Sequence, residues 1–108
     1  MSKFDDFFGA VLDGAQTVGG QAARNFLQQA TIDSQAFKAQ AEADLERWSA
    51  EVNSGDMDAE DFASLLRGQL SEATLAALLK AGVAAQQAGV MRDKVVNLAI
   101  KAAFTILL

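Results

Sequence analysis

The sequence predicts an all-α protein, a bundle of four or five helices forming a single domain over residues 1–108, and three observations carry that expectation. The chain contains no Pro, so no helix is interrupted by a residue lacking its N–H. Ala, Leu, Gln and Glu are abundant, a composition that favours helix over strands, which want more β-branched and aromatic residues. Apolar residues recur at three- and four-residue spacing in segment after segment. At 108 residues the chain is long enough to build a core without disulfides or a metal.

Ser2 caps a first helix, with Asp5 and Asp6 facing the positive end of its dipole. Phe4, Phe8, Val11, Ala15, Val18, Ala22 and Phe26 share one face and Asp6, Asp13, Thr17 and Arg24 the other, which gives an amphipathic helix to about Gln29. Gly9, Gly14, Gly19 and Gly20 each cost roughly 1 kcal/mol against Ala in a helix interior. Either close packing at the pairs Ala10 with Gly14 and Ala15 with Gly19 offsets that, or the helix breaks at Gly19-Gly20; close packing with a kink at that pair is the expectation.

Thr31 or Asp33 opens a second helix with the stripe Phe37, Ala41, Leu45, Trp48 and Val52. Its outer face is a charge ladder in which Lys38 with Glu42, and Arg47 with Glu51, are i,i+4 partners. Asn53-Ser54-Gly55 ends it. Asp56 or Asp58 caps a short third helix, with Glu60 and Asp61 at its start and Phe62, Leu65, Leu66 and Leu70 turned inward; Gly68 and Ser71 mark a bend and the next cap.

The remaining residues, 71–108, read as one long C-terminal helix. Leu75, Leu79, Gly82, Gln86, Gly89, Asp93, Val96, Ile100, Ala103 and Leu107 form an unbroken 4,3 seam, and Met91, Val95, Leu98, Ala102 and Ile106 add a second apolar strip. Unbroken, this helix is about 55 Å long at 1.5 Å per residue, against a diameter near 34 Å for a compact domain of about 100 residues. Either it breaks at Gly82 or Gly89 and the bundle is compact with five helices, or the molecule is elongated and oligomeric, another copy covering the overhang. The expected interface is Met91, Val95, Val96, Leu98, Ile100, Ala103, Phe104, Ile106, Leu107 and Leu108. Gln86 and Asp93 on the seam either fix register between helices or face water.

The net charge is −5, unevenly spread: residues 1–32 carry −1, residues 33–62 carry −7 and residues 63–108 carry +3. The acidic middle and basic end are expected to lie side by side, within the bundle or across subunits; the sharper reading sends the basic, apolar end to an anionic surface.

His, Tyr and Cys are absent, which removes the usual general bases, thiol nucleophiles and most transition-metal ligands. Gly14 to Gly19 has the glycine spacing of a phosphate loop, but Gly20-Gln21 stands where Lys-Ser/Thr is required. Asp56, Asp58 and Glu60 open like a calcium loop, yet Asp61 takes the place of the glycine and Arg67 that of the bidentate Glu. Glu42, Asp44, Glu46 and Glu51 spread around a solvated face, and Trp48 lies on a core stripe. Arg92, Lys94 and Lys101 are too few for nucleic acid in an acidic chain. The expectation is no enzyme, no cofactor, no metal and no nucleic acid.

Asp5 and Asp6 stand where a secretory signal needs an apolar run. The uncharged stretch Ala81 to Met91 is about half the roughly 20 residues a spanning helix needs, and Lys101 interrupts the last one. The chain reads as cytoplasmic and not transmembrane. Function is then expected to be self-assembly or scaffolding: a homo-oligomer that buries its C-terminal apolar helix between copies. The alternative is a peripheral protein laying amphipathic helices on a membrane or a hydrophobic inclusion, with Phe4, Phe7, Phe8, Val11 and Leu12 as a wedge and Arg92, Lys94 and Lys101 beside the apolar end. A third is an antitoxin, chaperone or adaptor whose apolar helix belongs to an unrelated partner.

Overall fold

Ser2, Ser34 and Asp58 open the first three helices of the computed structural model, which describes residues 2–108. Each stands in extended backbone, and its side-chain oxygen accepts a hydrogen bond from the N–H three residues on, that of Asp5, Phe37 and Asp61 respectively, satisfying a donor the helix itself cannot. The helices are α1 (Lys3–Thr31), α2 (Gln35–Ser54), α3 (Ala59–Lys80) and α4 (Ala85–Ile106). The cap of α2 is therefore Ser34, neither Thr31 nor Asp33. Thr31 is buried in the last turn of α1, where its hydroxyl donates to the Leu27 carbonyl at 2.7 Å.

Gly20, at φ 85° and ψ −179° inside α1, makes the expected kink. Its consequence is a change of face. Phe8, Val11 and Ala15 are buried on the first arm as the spacing predicts, but beyond the kink Ala23, Leu27 and Thr31 are buried while Ala22 is exposed and Phe26 half-buried. The stripe has slipped by one residue because Gly20 leaves helical geometry.

α2 keeps its predicted stripe, with Ala41, Leu45 and Trp48 buried. Lys38 approaches Glu42 at 3.9 Å, whereas Arg47 pairs with Asp44 at 3.1 Å and not with Glu51. Gly55, at φ 86°, closes α2: its N–H reaches the Val52 carbonyl and that of Asp56 the Glu51 carbonyl, the bonds of a Schellman motif.

Residues 71–108 are two helical pieces rather than one long helix, and Gly68 and Ser71 make no bend. Phe62, Leu66, Leu70, Thr74, Ala77 and Leu78 form one continuous buried stripe across them, and a single glycine costing about 1 kcal/mol does not break a helix packed on both sides of it. Leu65, expected inward, lies off that stripe and is exposed. The break comes at Gly82, at φ 93°. The Gly82 N–H bonds the Leu79 carbonyl and the Val83 N–H the Leu78 carbonyl, while Val83 packs against the cluster of Leu78, a second Schellman motif complete with its apolar contact.

The break keeps the molecule short, at 42 × 26 × 20 Å with a radius of gyration of 13.3 Å. α1, α3 and α4 pack against one another, and α2 rests on α1 and α3 without reaching α4 among the described residues. α2 and α4 therefore flank the α1–α3 pair. The main core joins Phe7, Phe8, Leu45, Phe62, Leu66, Val95 and Val96, and a smaller cluster of Ala23, Leu78 and Ala88 lies beside the α3–α4 turn. No helix among the described residues is long and apolar enough to cross a membrane.

Candidate interaction surface

The inner side of α4 is used within the chain. Of the ten residues expected at an interface, Val95, Val96, Ile100, Ala103 and Leu107 are buried in the chain's own core, and Met91 and Ile106 are half-buried. Leu98, Phe104 and Leu108 remain exposed. Phe104 still meets Phe62, with ring centroids 6.0 Å apart. The two polar seam positions, Gln86 and Asp93, face water, so past the α3–α4 turn the seam is buried only from Val96 onward, through Ile100, Ala103 and Leu107.

The outer side of α4 is where apolar surface gathers. Four of the six large apolar side chains left exposed, Val90, Leu98, Phe104 and Leu108, belong to α4 or the two residues after it, Val90 being the most open at 59%. Scattered exposed leucines are ordinary; several on one helix make its outer side the candidate surface.

Glycines on α1 set the depth of the surface beside them. A Cβ on Gly14 would stand 3.4 Å from a Leu98 methyl, and one on Gly19 only 2.7 Å from a Leu78 methyl, so α4 and α3 sit against bare backbone there. Gly19 thus provides the close approach expected of the Ala15–Gly19 pair, with Leu78 of α3 as its neighbour. Between α1 and α4 runs an open groove of about 590 Å³ lined by Thr17, Val18, Gln86, Gln87, Val90, Met91 and Lys94. It continues into a hollow of about 310 Å³ that shares Val18 and Lys94 and adds Asn97, Leu98 and Lys101.

The groove is electropositive. Lys94 and Lys101 enter no ion pair among the described residues. α4 also begins at Ala84 with no side-chain cap and no acid in its first turn, so the positive end of its dipole is not neutralised by the chain. By contrast α1 and α3 each have two acids in that place. Chemically the surface offers apolar contact flanked by cations, and among the described residues no cluster of His, Cys, Asp or Glu is arranged to hold a metal ion.

Val90 escaped the sequence reading because it lies on the side of α4 opposite Ala99, outside both apolar strips. The signal available was its isolation, a β-branched residue among Gln87, Lys94 and Lys101 on a polar face. The bulky N-terminal wedge is largely absent from the surface: Phe7, Phe8, Val11 and Leu12 are all core, and Phe4 is half-buried against that core. No protein-family model matches the chain, and no curated protein and no solved structure is significantly similar to it.

Proposed function

We propose that this chain is a non-enzymatic, cytoplasmic, scaffold-type protein that assembles with copies of itself through the outer side of α4. The observation that carries the proposal is the concentration of exposed apolar side chains there, of which Val90 and Leu98 line the groove that α1 completes. Val95, Val96, Ile100, Ala103 and Leu107 serve the fold in this reading, and Val90, Leu98, Phe104 and Leu108 serve the assembly. Full burial of a side chain of this size stabilises by about 1.5–3 kcal/mol, so a few half-exposed ones supply enough for a weak, concentration-dependent contact and not for a permanent one.

Light scattering on a sizing column, over a range of concentrations, tests it. A mass above the 11.4 kDa of one chain that rises with concentration is expected. A monomer at every concentration would sink the proposal.

A second reading, attachment to an anionic membrane or hydrophobic inclusion, draws support from Lys94 and Lys101 beside Val90 and Leu98. It has lost Phe7, Phe8, Val11 and Leu12 of its wedge to the core. Flotation with anionic vesicles at low salt is its test, and absence of flotation removes it.

A further inference from the structure

We propose that the α1–α4 groove is filled by α2 of a second copy of this chain, so that copies join head to tail. The inference rests on the self-assembly reading and names the surface that docks.

Charge complementarity is the first argument. α4 carries Arg92, Lys94 and Lys101 against Asp93, a net +2, while α2 carries Lys38 and Arg47 against Glu42, Asp44, Glu46 and Glu51, a net −2. Within one molecule the two helices never meet, because α2 packs on α1 and α3 and not on α4. The attraction between them is available only to another copy.

Shape is the second. The outer face of α2 presents Ala39, Ala43 and Ala50, all exposed, with Glu42 and Glu46 along one edge. Small side chains let a helix approach to the short end of the usual 8–10 Å interaxial range, which suits a ridge entering a groove floored by Val18, Val90 and Leu98. The lengths agree: Ala39 to Ala50 and Val90 to Lys101 are each 12 residues, so their end residues stand about 16 Å apart at 1.5 Å per residue. Laid antiparallel with Ala50 level with Val90, Glu46 falls level with Lys94, and Glu42 comes within a turn of Lys101. Glu42 makes only the long 3.9 Å contact with Lys38, and Asp44, held by Arg47 at 3.1 Å and by Gln69 of α3 at 3.1 Å, lies off this edge.

Docking of α2 into a groove on the far side of the next copy is heterologous, so each copy leaves one groove and one α2 free. Such a contact propagates as an open chain unless its rotation closes a ring. Mass should therefore climb with concentration rather than stop at two, and should fall with added salt, which screens exposed charges beyond about 8–10 Å.

Charge reversal tests the pairing. Glu46, Lys94 and Lys101 are exposed and Glu42 half-buried; because E42K also removes the 3.9 Å contact with Lys38, circular dichroism is needed to check that E42K/E46K and K94E/K101E each keep their helices. Each is expected to weaken association about tenfold or more, by leaving like charges face to face. The quadruple variant, with both ends reversed, is expected to recover association to near the original strength. If the parent chain assembles but E42K/E46K assembles equally well, or if the folded quadruple variant does not recover, the α2 docking is overturned while self-assembly stands. A parent chain that stays monomeric overturns both, and flotation on anionic vesicles then decides for the membrane reading.

Discussion

α2 and α4 are nearly equal in length, at 20 and 22 residues, and both lie on the outside of the α1–α3 pair, yet they are held by different means. α2 is delimited locally, by the Ser34 cap at one end and the Gly55 Schellman motif at the other, and it buries only Ala41, Leu45, Trp48 and Ser49. α4 has no side-chain cap at Ala84 and no glycine at its end. It buries Ala88, Val95, Val96, Ala99, Ile100 and Ala103 and packs on both α1 and α3. Local signals set the limits of a helix at the rim, whereas α4, with almost none, takes its place from a face. The division extends to charge, since the rim helix is acidic and the core helix presents its cations outward.

The largest expected effect breaks the two helices separately. Val95→Asp puts a carboxylate at a site 1% exposed, and should destabilise the chain by at least about 4 kcal/mol, a large part of the roughly 5–15 kcal/mol a small domain possesses. Amide hydrogen exchange should then speed up in all four helices. Leu45→Asp is an equal insult in chemistry, at a site 0% exposed, but should free α2 alone, residues 35–54 losing protection while α3 and α4 keep theirs. Indistinguishable exchange patterns in the two variants would show that α2 is as central to the fold as α4.

The same contrast decides what was legible in the sequence. α2 could be read closely in its stripe and its Gly55 stop, because periodicity and a turn glycine are properties of neighbouring residues, although its cap is Ser34 and not the expected Thr31 or Asp33. The join between α3 and α4 was harder: Gly68, Gly82 and Gly89 look alike in sequence, and only Leu66, Leu70 and Leu78 holding one buried face through Gly68 show which of them bends the chain. A regular period places Ala22 and Phe26 on the core face because it ignores the turn Gly20 imposes on α1. The candidate surface was less legible still. The apolar stripe of α4 demands burial but does not say whether α1 and α3 of its own chain or another copy will supply it, and the outer groove exists only once two helices distant in sequence are brought together.

A smaller effect sharpens the contrast at the helix starts. Ala84 already has N-cap backbone geometry, at φ −61° and ψ 142°, and is exposed, so it lacks nothing but an oxygen. Ala84→Ser should stabilise the chain by about 0.5–1 kcal/mol, whereas Ser34→Ala should destabilise α2 by about 1 kcal/mol. Denaturant midpoints at unchanged m would report both. No gain from Ala84→Ser would mean that the first turn of α4 is satisfied by water as well as by a hydroxyl.

The smallest effect concerns the ion pair that ties α2 to α1. Lys38 stands 3.2 Å from Asp5, and its hydrogen bond and its charge hold the Asp5 carboxyl below the ordinary carboxylate value. A carboxylate whose folded value is depressed adds stability above its unfolded pKa of about 3.9. That contribution is lost as pH falls through the unfolded and then the folded value. Acid below about pH 4 should accordingly loosen the start of α2 before it disturbs α4, whose own pair, Arg92 with Asp93 at 3.1 Å, joins neighbours on one helix and ties it to nothing else. Lys38→Met should return the Asp5 midpoint to its ordinary value in an NMR titration of that carboxyl. A midpoint that stayed low would assign the depression to the Ser2 cap and the first turn of α1 instead, leaving α2 fastened by Leu45, Trp48 and the bond from Gln69 to Asp44.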